Sequence, residues 1–223
     1  MKIKSLLSIA LIAMFSVSTA YADKPVGISK GDGPYSLEIG ISVNVDGHKI
    51  MRNQNNKNTV NPAFGKTSRP CPPFCIQPIQ LRPGIETLGE QEIIHYAVMM
   101  SKGQKMPDGS EIMVIDSRTP DWVAKGMIPG AVNVPWTHLS EAKGADPISI
   151  AEIMTEKFGA YEQNGLFYFD KAKTLVMYCN GMWCGQSPNN IKSLLKYGYP
   201  PHKIKWYRGG MQNWEILGFN TVK

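Results

Sequence analysis

From about Ile85 onward, apolar residues follow two patterns that alternate along the chain. Short continuous apolar runs predict buried strands, whereas apolar residues spaced three or four positions apart predict helices. The predicted strands are 112–115, 131–134, 174–178 and 203–207, and the predicted helices begin near 90, 120, 147, 187 and 210. Strands that alternate with helices indicate an α/β fold, in which a parallel sheet carries helices on its faces.

The region before this domain has a different pattern. Apolar residues occupy every second position across 37–45, which predicts a half-buried strand. Asp46-Gly47 is a typical hairpin turn, and residues 48–52 supply a partner strand. Because a lone hairpin is only marginally stable, we predict that it docks on the larger domain.

The first residues have the pattern of an export signal. A basic start at 1–4 precedes a mostly apolar run at 6–20, and Ala20-Tyr21-Ala22 matches a cleavage site. The run is shorter than the roughly 20 residues that cross a bilayer, which favours cleavage over an uncleaved anchor. We predict a signal peptide at 1–22, an extension at 23–84 and a domain at 85–223. The protein is then exported by a bacterium to the periplasm, with no membrane span after cleavage.

The charge of the chain argues against one class of partner. The net charge of +6 falls to +4 on cleavage, because Lys2 and Lys4 leave with no acidic residue. The remaining excess is scattered and does not form the basic stripe of a nucleic-acid-binding surface. We therefore expect no nucleic acid partner.

The strongest chemical signal is a cysteine at the end of a predicted strand. The apolar run 174–178 ends on Cys179, a glycine-containing loop follows, and Ser187-Pro188 opens the next helix. Backbone amides of such a loop and helix start can converge on an anion. They would stabilise a thiolate at Cys179, and the thiolate is the nucleophilic form of cysteine.

Four segments together resemble the rhodanese-like sulfurtransferase domain family, across roughly 85–219. The segment 114–118 is similar to the family's Asp-x-Arg strand end, and 126–135 to its Gly-His-Ile-Pro-Gly-Ala segment. Cys179 stands where the family has its catalytic cysteine, and 207–214 resembles its Arg-Gly-Gly-x-x-x-Trp signature.

The resemblance implies a central, mostly parallel sheet of about five strands with helices on both faces, beside the N-terminal hairpin. It also implies transfer of a sulfane sulfur through a persulfide on Cys179, without a cofactor or metal. The donor is a small sulfur compound such as thiosulfate, and the acceptor is a thiol or another thiophile. The expected active-site loop contains Asn180, Gly181, Met182, Trp183, Cys184, Gly185, Gln186 and Ser187.

Three features depart from the family pattern. Seven residues separate Cys179 from Ser187, which is longer than the common sulfurtransferase loop. No residue from 180 to 186 is charged, so the family's loop arginine is missing, and Met127 replaces a frequent histidine. A dianionic donor would then depend on amides alone. Phosphatase activity is excluded, because Gly185 stands where an arginine must clamp phosphate.

Four further residues are expected to support or border the loop. Asp116 is predicted to form an ion pair or cap beneath it, and Arg118 either shares that pair or reaches a substrate anion. Arg208 is expected to tie the last strand to the loop backbone. Trp183, as an exposed aromatic at the loop tip, is expected to line the substrate mouth or to contact a protein partner.

The other cysteines leave several alternatives open. Cys184 either resolves an oxidised Cys179 through a reversible disulfide or locks the loop as a static bridge. Cys71 and Cys75 are predicted to form a structural disulfide. The alternatives are a redox pair, or a four-thiolate zinc or copper site that they form together with Cys179 and Cys184. Two other functions follow from these choices: a periplasmic thiol–disulfide redox protein using Cys179 and Cys184, or a catalytically silent binding module.

Overall fold

A computed structural model describes residues 42–223 of the chain. The predicted signal peptide at 1–22 and the first half of the predicted strand, 37–41, lie outside the described residues. No helix within 42–223 combines the length and the apolar character that crossing a membrane requires.

The strands and helices follow the predicted alternation. The strands are β1 (Val43–Val45), β2 (His48–Ile50), β3 (Glu86–Leu88), β4 (Ile112–Asp116), β5 (Val132–Asn133), β6 (Tyr161–Gln163), β7 (Leu166–Tyr168), β8 (Thr174–Tyr178) and β9 (Ile204–Tyr207). The helices are α1 (Glu90–Ser101), α2 (Pro120–Val123), α3 (Pro147–Glu152), α4 (Gln186–Lys196) and α5 (Gly210–Ile216). Short 3-10 turns cover 136–138, 141–143 and 201–203.

The central sheet has five parallel strands in the order β3-β9-β8-β4-β5. Strand β8 is in the middle, where it pairs with β4 from Thr174 to Tyr178 and with β9 from Leu175 to Tyr178. All five residues of β8 are buried. The predicted α/β fold is confirmed, and Cys179 leaves the carboxyl end of the most enclosed strand, where parallel sheets place their sites.

Alternate side chains of the sheet pack into two separate cores, one on each face. Because both faces are buried, the strands have continuous apolar sequences. One core joins Val114, Val176 and Tyr178 to α1 and α5, and the other joins Ile115, Leu175 and Met177 to α3 and α4. Helices therefore cover both faces of the sheet, as predicted.

The N-terminal hairpin packs on the first of these cores. Asp46 and Gly47 both have positive φ (47° and 79°), the backbone of a tight hairpin turn. Val45 and Ile50 are completely buried among residues of α1 and α5. The N–H of Asn53 donates to the carbonyl of Gly218 (2.6 Å), so the chain after the hairpin is also attached to the domain.

One element was missed by the sequence analysis. Residues 161–168 form an antiparallel hairpin, β6-β7, in a stretch that was interpreted as a long connection. Its turn is Asn164-Gly165, with φ of 55° and 78°. An Asn-Gly pair between apolar residues is a strong hairpin signal, so this element was visible in the sequence.

Because Ile50 is buried in the domain core, Ile50→Ala should destabilise the whole protein by about 2–5 kcal/mol. The measurement is urea unfolding followed by circular dichroism. Ile148→Ala, at a residue that is 72% exposed, is the control and should shift stability by less than about 0.5 kcal/mol. Equal stabilities of the two variants would show that the hairpin does not share the domain core.

Candidate active site

The site is built around Cys179, which follows strand β8 directly. Its side chain is only 2% exposed, and it carries a free thiol. The loop that follows leads into α4, whose first residue is Gln186, one position before the predicted start at Ser187. Cys179 and the amino end of α4 therefore face each other, as the sequence predicted.

Hydrogen-bond donors surround the sulfur of Cys179. The Ser187 hydroxyl donates to Sγ at 3.0 Å, and the Cys184 side chain and the backbone N–H groups of Gly181 and Ser187 lie near enough to favour the thiolate. Burial alone raises the pKa of Cys179, but these donors outweigh it and lower the pKa to about 7, from an ordinary value of 9.0. A substantial fraction of Cys179 is therefore thiolate at neutral pH.

The pKa of Cys184, in the same loop, is shifted in the opposite direction from that of Cys179. Its side chain is 3% exposed, and burial, together with the adjacent Cys179 sulfur, raises its pKa well above the ordinary value. Cys184 thus remains a protonated thiol, whose Sγ lies 3.8 Å from Oε1 of Gln186 and whose carbonyl oxygen lies 3.5 Å from Sγ of Cys179. Both residues are free thiols, so the structure does not contain the static bridge that was one of the alternatives for Cys184.

The amino end of α5 closes the site from behind. The N–H groups of Met211 and Gln212 donate to the carbonyls of Cys179 (3.0 Å) and Asn180 (2.9 Å). Gly210 has φ of 58°, and a side chain on it would collide with the Cys179 carbonyl. The second glycine of the Gly-Gly pair in 207–214 is therefore required by close backbone contact with the loop.

Asp116 and Arg118 form a buried ion pair beneath the loop, with a shortest N–O distance of 2.6 Å. Arg118 is completely buried and also donates to the carbonyls of Trp122 (3.1 Å) and Gly126 (2.6 Å) and to Oδ1 of Asn180 (3.5 Å). Each of its nitrogens has a protein acceptor. The alternative that Arg118 reaches a substrate anion is therefore not supported, and its role here is to hold Asn180.

Arg208 binds a different partner from the one predicted. Its Nε and Nη2 donate to the carbonyl of Gln77, at 3.1 and 2.8 Å, and its Nη1 contacts Sδ of Met182. The predicted bond to the loop backbone is replaced by a bond to the segment before the domain. The reason is that this segment, which local sequence patterns could not position, lies against the loop.

We call residues 69–82 the connector. Cys71 and Cys75 form a disulfide within it, as predicted, which removes both from a four-thiolate metal site. The N–H of Gln77 donates to the carbonyl of Met182 at 2.8 Å. Connector and active-site loop are therefore in direct contact through their backbones.

Trp183 is covered by the connector. Its ring lies edge-on to Phe74, with centroids 5.8 Å apart, and the Arg69 guanidinium is stacked 3.7 Å from its centroid. Its indole N–H donates to Oε1 of Gln212 at 2.8 Å. The expectation of an exposed Trp183 is wrong, because the side chain is half-buried between the connector and α5.

A model of the Rhodanese-like domain family matches residues 100–217, just over half of the chain. The chain therefore belongs to the rhodanese-like domain family. A protein of Allochromatium vinosum named Sulfurtransferase is 28% identical over 122 residues, which cover 55% of this chain and 89% of that protein.

Solved structures with low sequence identity also align. A Rhodopseudomonas palustris protein of unknown function, described as a possible tyrosine phosphatase, is 23% identical with a TM-score of 0.41, covering 64% of this chain and 88% of its own. The Saccharomyces cerevisiae protein Ygr203w, a homolog of single-domain rhodanese and of the Cdc25 phosphatase catalytic domain, is 17% identical with a TM-score of 0.42, covering 62% and 86%. The human single-domain protein TSTD1 is 20% identical with a TM-score of 0.34, covering 57% and 93%.

The hydrogen bonds at Cys179 generate a prediction about pH. Alkylation of Cys179 by iodoacetamide should rise with pH through a midpoint of about 7 and become slow below it, because only the thiolate reacts. Ser187→Ala removes a bond to a charged group worth about 1.5–3 kcal/mol, so the midpoint should rise by about one to two pH units. The readout is peptide mass spectrometry of Cys179.

Ser193→Ala on the same helix is the control and should leave the midpoint unchanged. An unchanged midpoint in Ser187→Ala would show that the hydroxyl does not stabilise the thiolate.

Proposed function

We propose that the protein is an exported sulfurtransferase that carries sulfane sulfur as a persulfide on Cys179. The observation that supports this most directly is the free Cys179 thiol at the end of a central strand, bonded by the Ser187 hydroxyl and with its pKa lowered to about 7. Membership of the rhodanese-like family and the similarity to a protein named Sulfurtransferase support the same reaction class.

In the first half-reaction, the Cys179 thiolate attacks the outer sulfur of a donor such as thiosulfate. A new sulfur–sulfur bond forms to Cys179, the donor's sulfur–sulfur bond breaks, and sulfite leaves with the electron pair. The Cys179 persulfide is itself an anion, so charge is conserved. Two small displacements then replace one difficult transfer.

In the second half-reaction, an acceptor thiolate attacks the outer sulfur of the persulfide. The acceptor becomes a persulfide, and Cys179 is released as the thiolate with which the cycle began. The donors that hold the Cys179 anion are also positioned to hold this leaving group, since both are sulfur anions at the same strand end. The acceptor is a small thiol, another thiophile, or a protein that docks beside the active-site loop.

Export to the periplasm is part of the same proposal. The pattern of residues 1–22 supports cleavage and export. The Cys71–Cys75 disulfide in the connector supports an oxidising compartment, because such bonds are rare in reducing ones.

A second candidate function rests on Cys184. Its protonated thiol contacts the low-pKa thiolate of Cys179, an asymmetry that suits thiol–disulfide exchange. In that cycle a substrate disulfide oxidises the pair, its two sulfurs leave as thiols, and a Cys179–Cys184 disulfide forms.

The main proposal predicts that the protein gains one sulfur atom, mapped to Cys179, after the reduced protein is mixed with a sulfane donor. Cys179→Ser should gain none and should lose all transfer, because the nucleophile is gone, while its unfolding transition stays close to wild type. Intact-mass analysis with peptide mapping and a turnover assay are the measurements. Undiminished transfer by Cys179→Ser would refute the proposal.

Cys184→Ser separates the two candidates. Sulfur transfer should persist with a modest loss, because one donor to the thiolate becomes a hydroxyl. Thiol–disulfide exchange should be abolished, because the resolving sulfur is gone. A variant that loses both the persulfide and all transfer would favour the redox candidate.

A further inference from the structure

The active-site loop has no charge of its own for binding an anionic donor. Residues 180–186 contain no charged side chain, and two nearby arginines have protein partners at every nitrogen. Arg118 donates to Asp116 and to protein oxygens, while Arg208 donates to Gln77 and contacts Met182. Recognition of a dianion therefore requires a cation from elsewhere in the fold.

The connector brings Arg69 to this loop. Its guanidinium is stacked 3.7 Å from the centroid of Trp183, the residue next to Cys184. Burial lowers the pKa of Arg69, and the negative charge that the nearby Cys184 sulfur can carry opposes that shift. Even with its pKa lowered, an arginine side chain remains protonated at neutral pH.

One atom of Arg69 lacks a protein partner. Its Nε is buried, and within residues 42–223 no acceptor lies within hydrogen-bonding distance of it. A buried N–H without an acceptor costs about 1–3 kcal/mol, and more for a charged group. A ligand oxygen at this position would satisfy Nε and remove that cost.

Stacking also orients the guanidinium. An arginine that lies flat on an aromatic ring directs its N–H groups outward in one plane, and two parallel N–H groups match two oxygens of an oxyanion. Phe74, which lies inside the Cys71–Cys75 disulfide loop, and the backbone bond between Gln77 and Met182 hold the connector against the active-site loop. The position of Arg69 is thereby tied to the position of the loop.

We propose that Arg69 is the donor-binding residue of this site and selects a sulfane donor with a dianionic oxyanion group, of the thiosulfate type. This inference rests on the proposed sulfurtransferase function. Arg69 would bind the oxyanion end of the donor while Cys179 attacks its outer sulfur, and the departing sulfite would leave on the Arg69 side. The connector thus supplies the charge that is missing from the active-site loop.

The test compares two donors that share a sulfur–sulfur bond but differ by one charge, thiosulfate (2−) and methanethiosulfonate (1−). Arg69→Gln should raise KM for thiosulfate about tenfold or more, the effect of one lost charge-assisted hydrogen bond. The increase for methanethiosulfonate should be clearly smaller, and Arg69→Lys should recover part of the loss. Arg82→Gln, an exposed arginine on the same connector, is the control and should match wild type.

A binding measurement without turnover makes the outcome independent of the proposed function. Sulfate should slow alkylation of wild-type Cys179 by uncharged iodoacetamide, and about tenfold more sulfate should be needed in Arg69→Gln. If wild type takes up no sulfur but sulfate protection depends on Arg69, the proposed function fails and the anion site stands. If Arg69→Gln folds and behaves as wild type in both assays, or loses both donors equally, Arg69 only packs on Trp183 and the inference is wrong.

Discussion

The organisation of this protein depends on how a buried sulfur anion is kept stable. Cys179 is almost fully enclosed, and enclosure by itself favours the neutral thiol. The hydrogen bond from the Ser187 hydroxyl, with the nearby Cys184 side chain and two backbone N–H groups, reverses that preference. Much of the surrounding structure serves to hold these donors: β8 positions the sulfur, α4 positions Ser187, and α5 fixes the loop carbonyls from behind.

Elements on either side of the loop have distinct tasks. The Asp116–Arg118 pair is fully internal and bonds to Asn180, so it positions the start of the loop. The connector lies on the outer side, where Gln77 contacts Met182 and Arg69 is stacked on Trp183. The chain belongs to the rhodanese-like family, yet the connector that contacts its active-site loop lies outside the matched residues 100–217.

Elements whose structure is decided by one local pattern are the ones that the sequence predicts correctly. Helix α1 begins at Glu90 as predicted, because its apolar residues recur at helical spacing and nothing competes with that pattern. The hairpin β6-β7 was missed, although Asn164-Gly165 marked its turn. Trp183 and Arg208 were assigned to the wrong surroundings, since both contact a connector whose position depends on long-range packing rather than on nearby residues.

The sequence alone determined the α/β class and the strand whose carboxyl end carries Cys179, because periodicity and turn residues act over a few positions. Gly209 and Gly210 were visible as part of a motif, but the collision that a side chain on Gly210 would make with the Cys179 carbonyl depends on the tertiary structure. Only the tertiary structure decided which groups lie next to the Cys179 sulfur and that every nitrogen of Arg118 has a protein acceptor. It also decided that Arg69, more than a hundred residues earlier in the sequence, contacts Trp183. Contacts between distant segments depend on the packing of whole elements, and no local pattern encodes that packing.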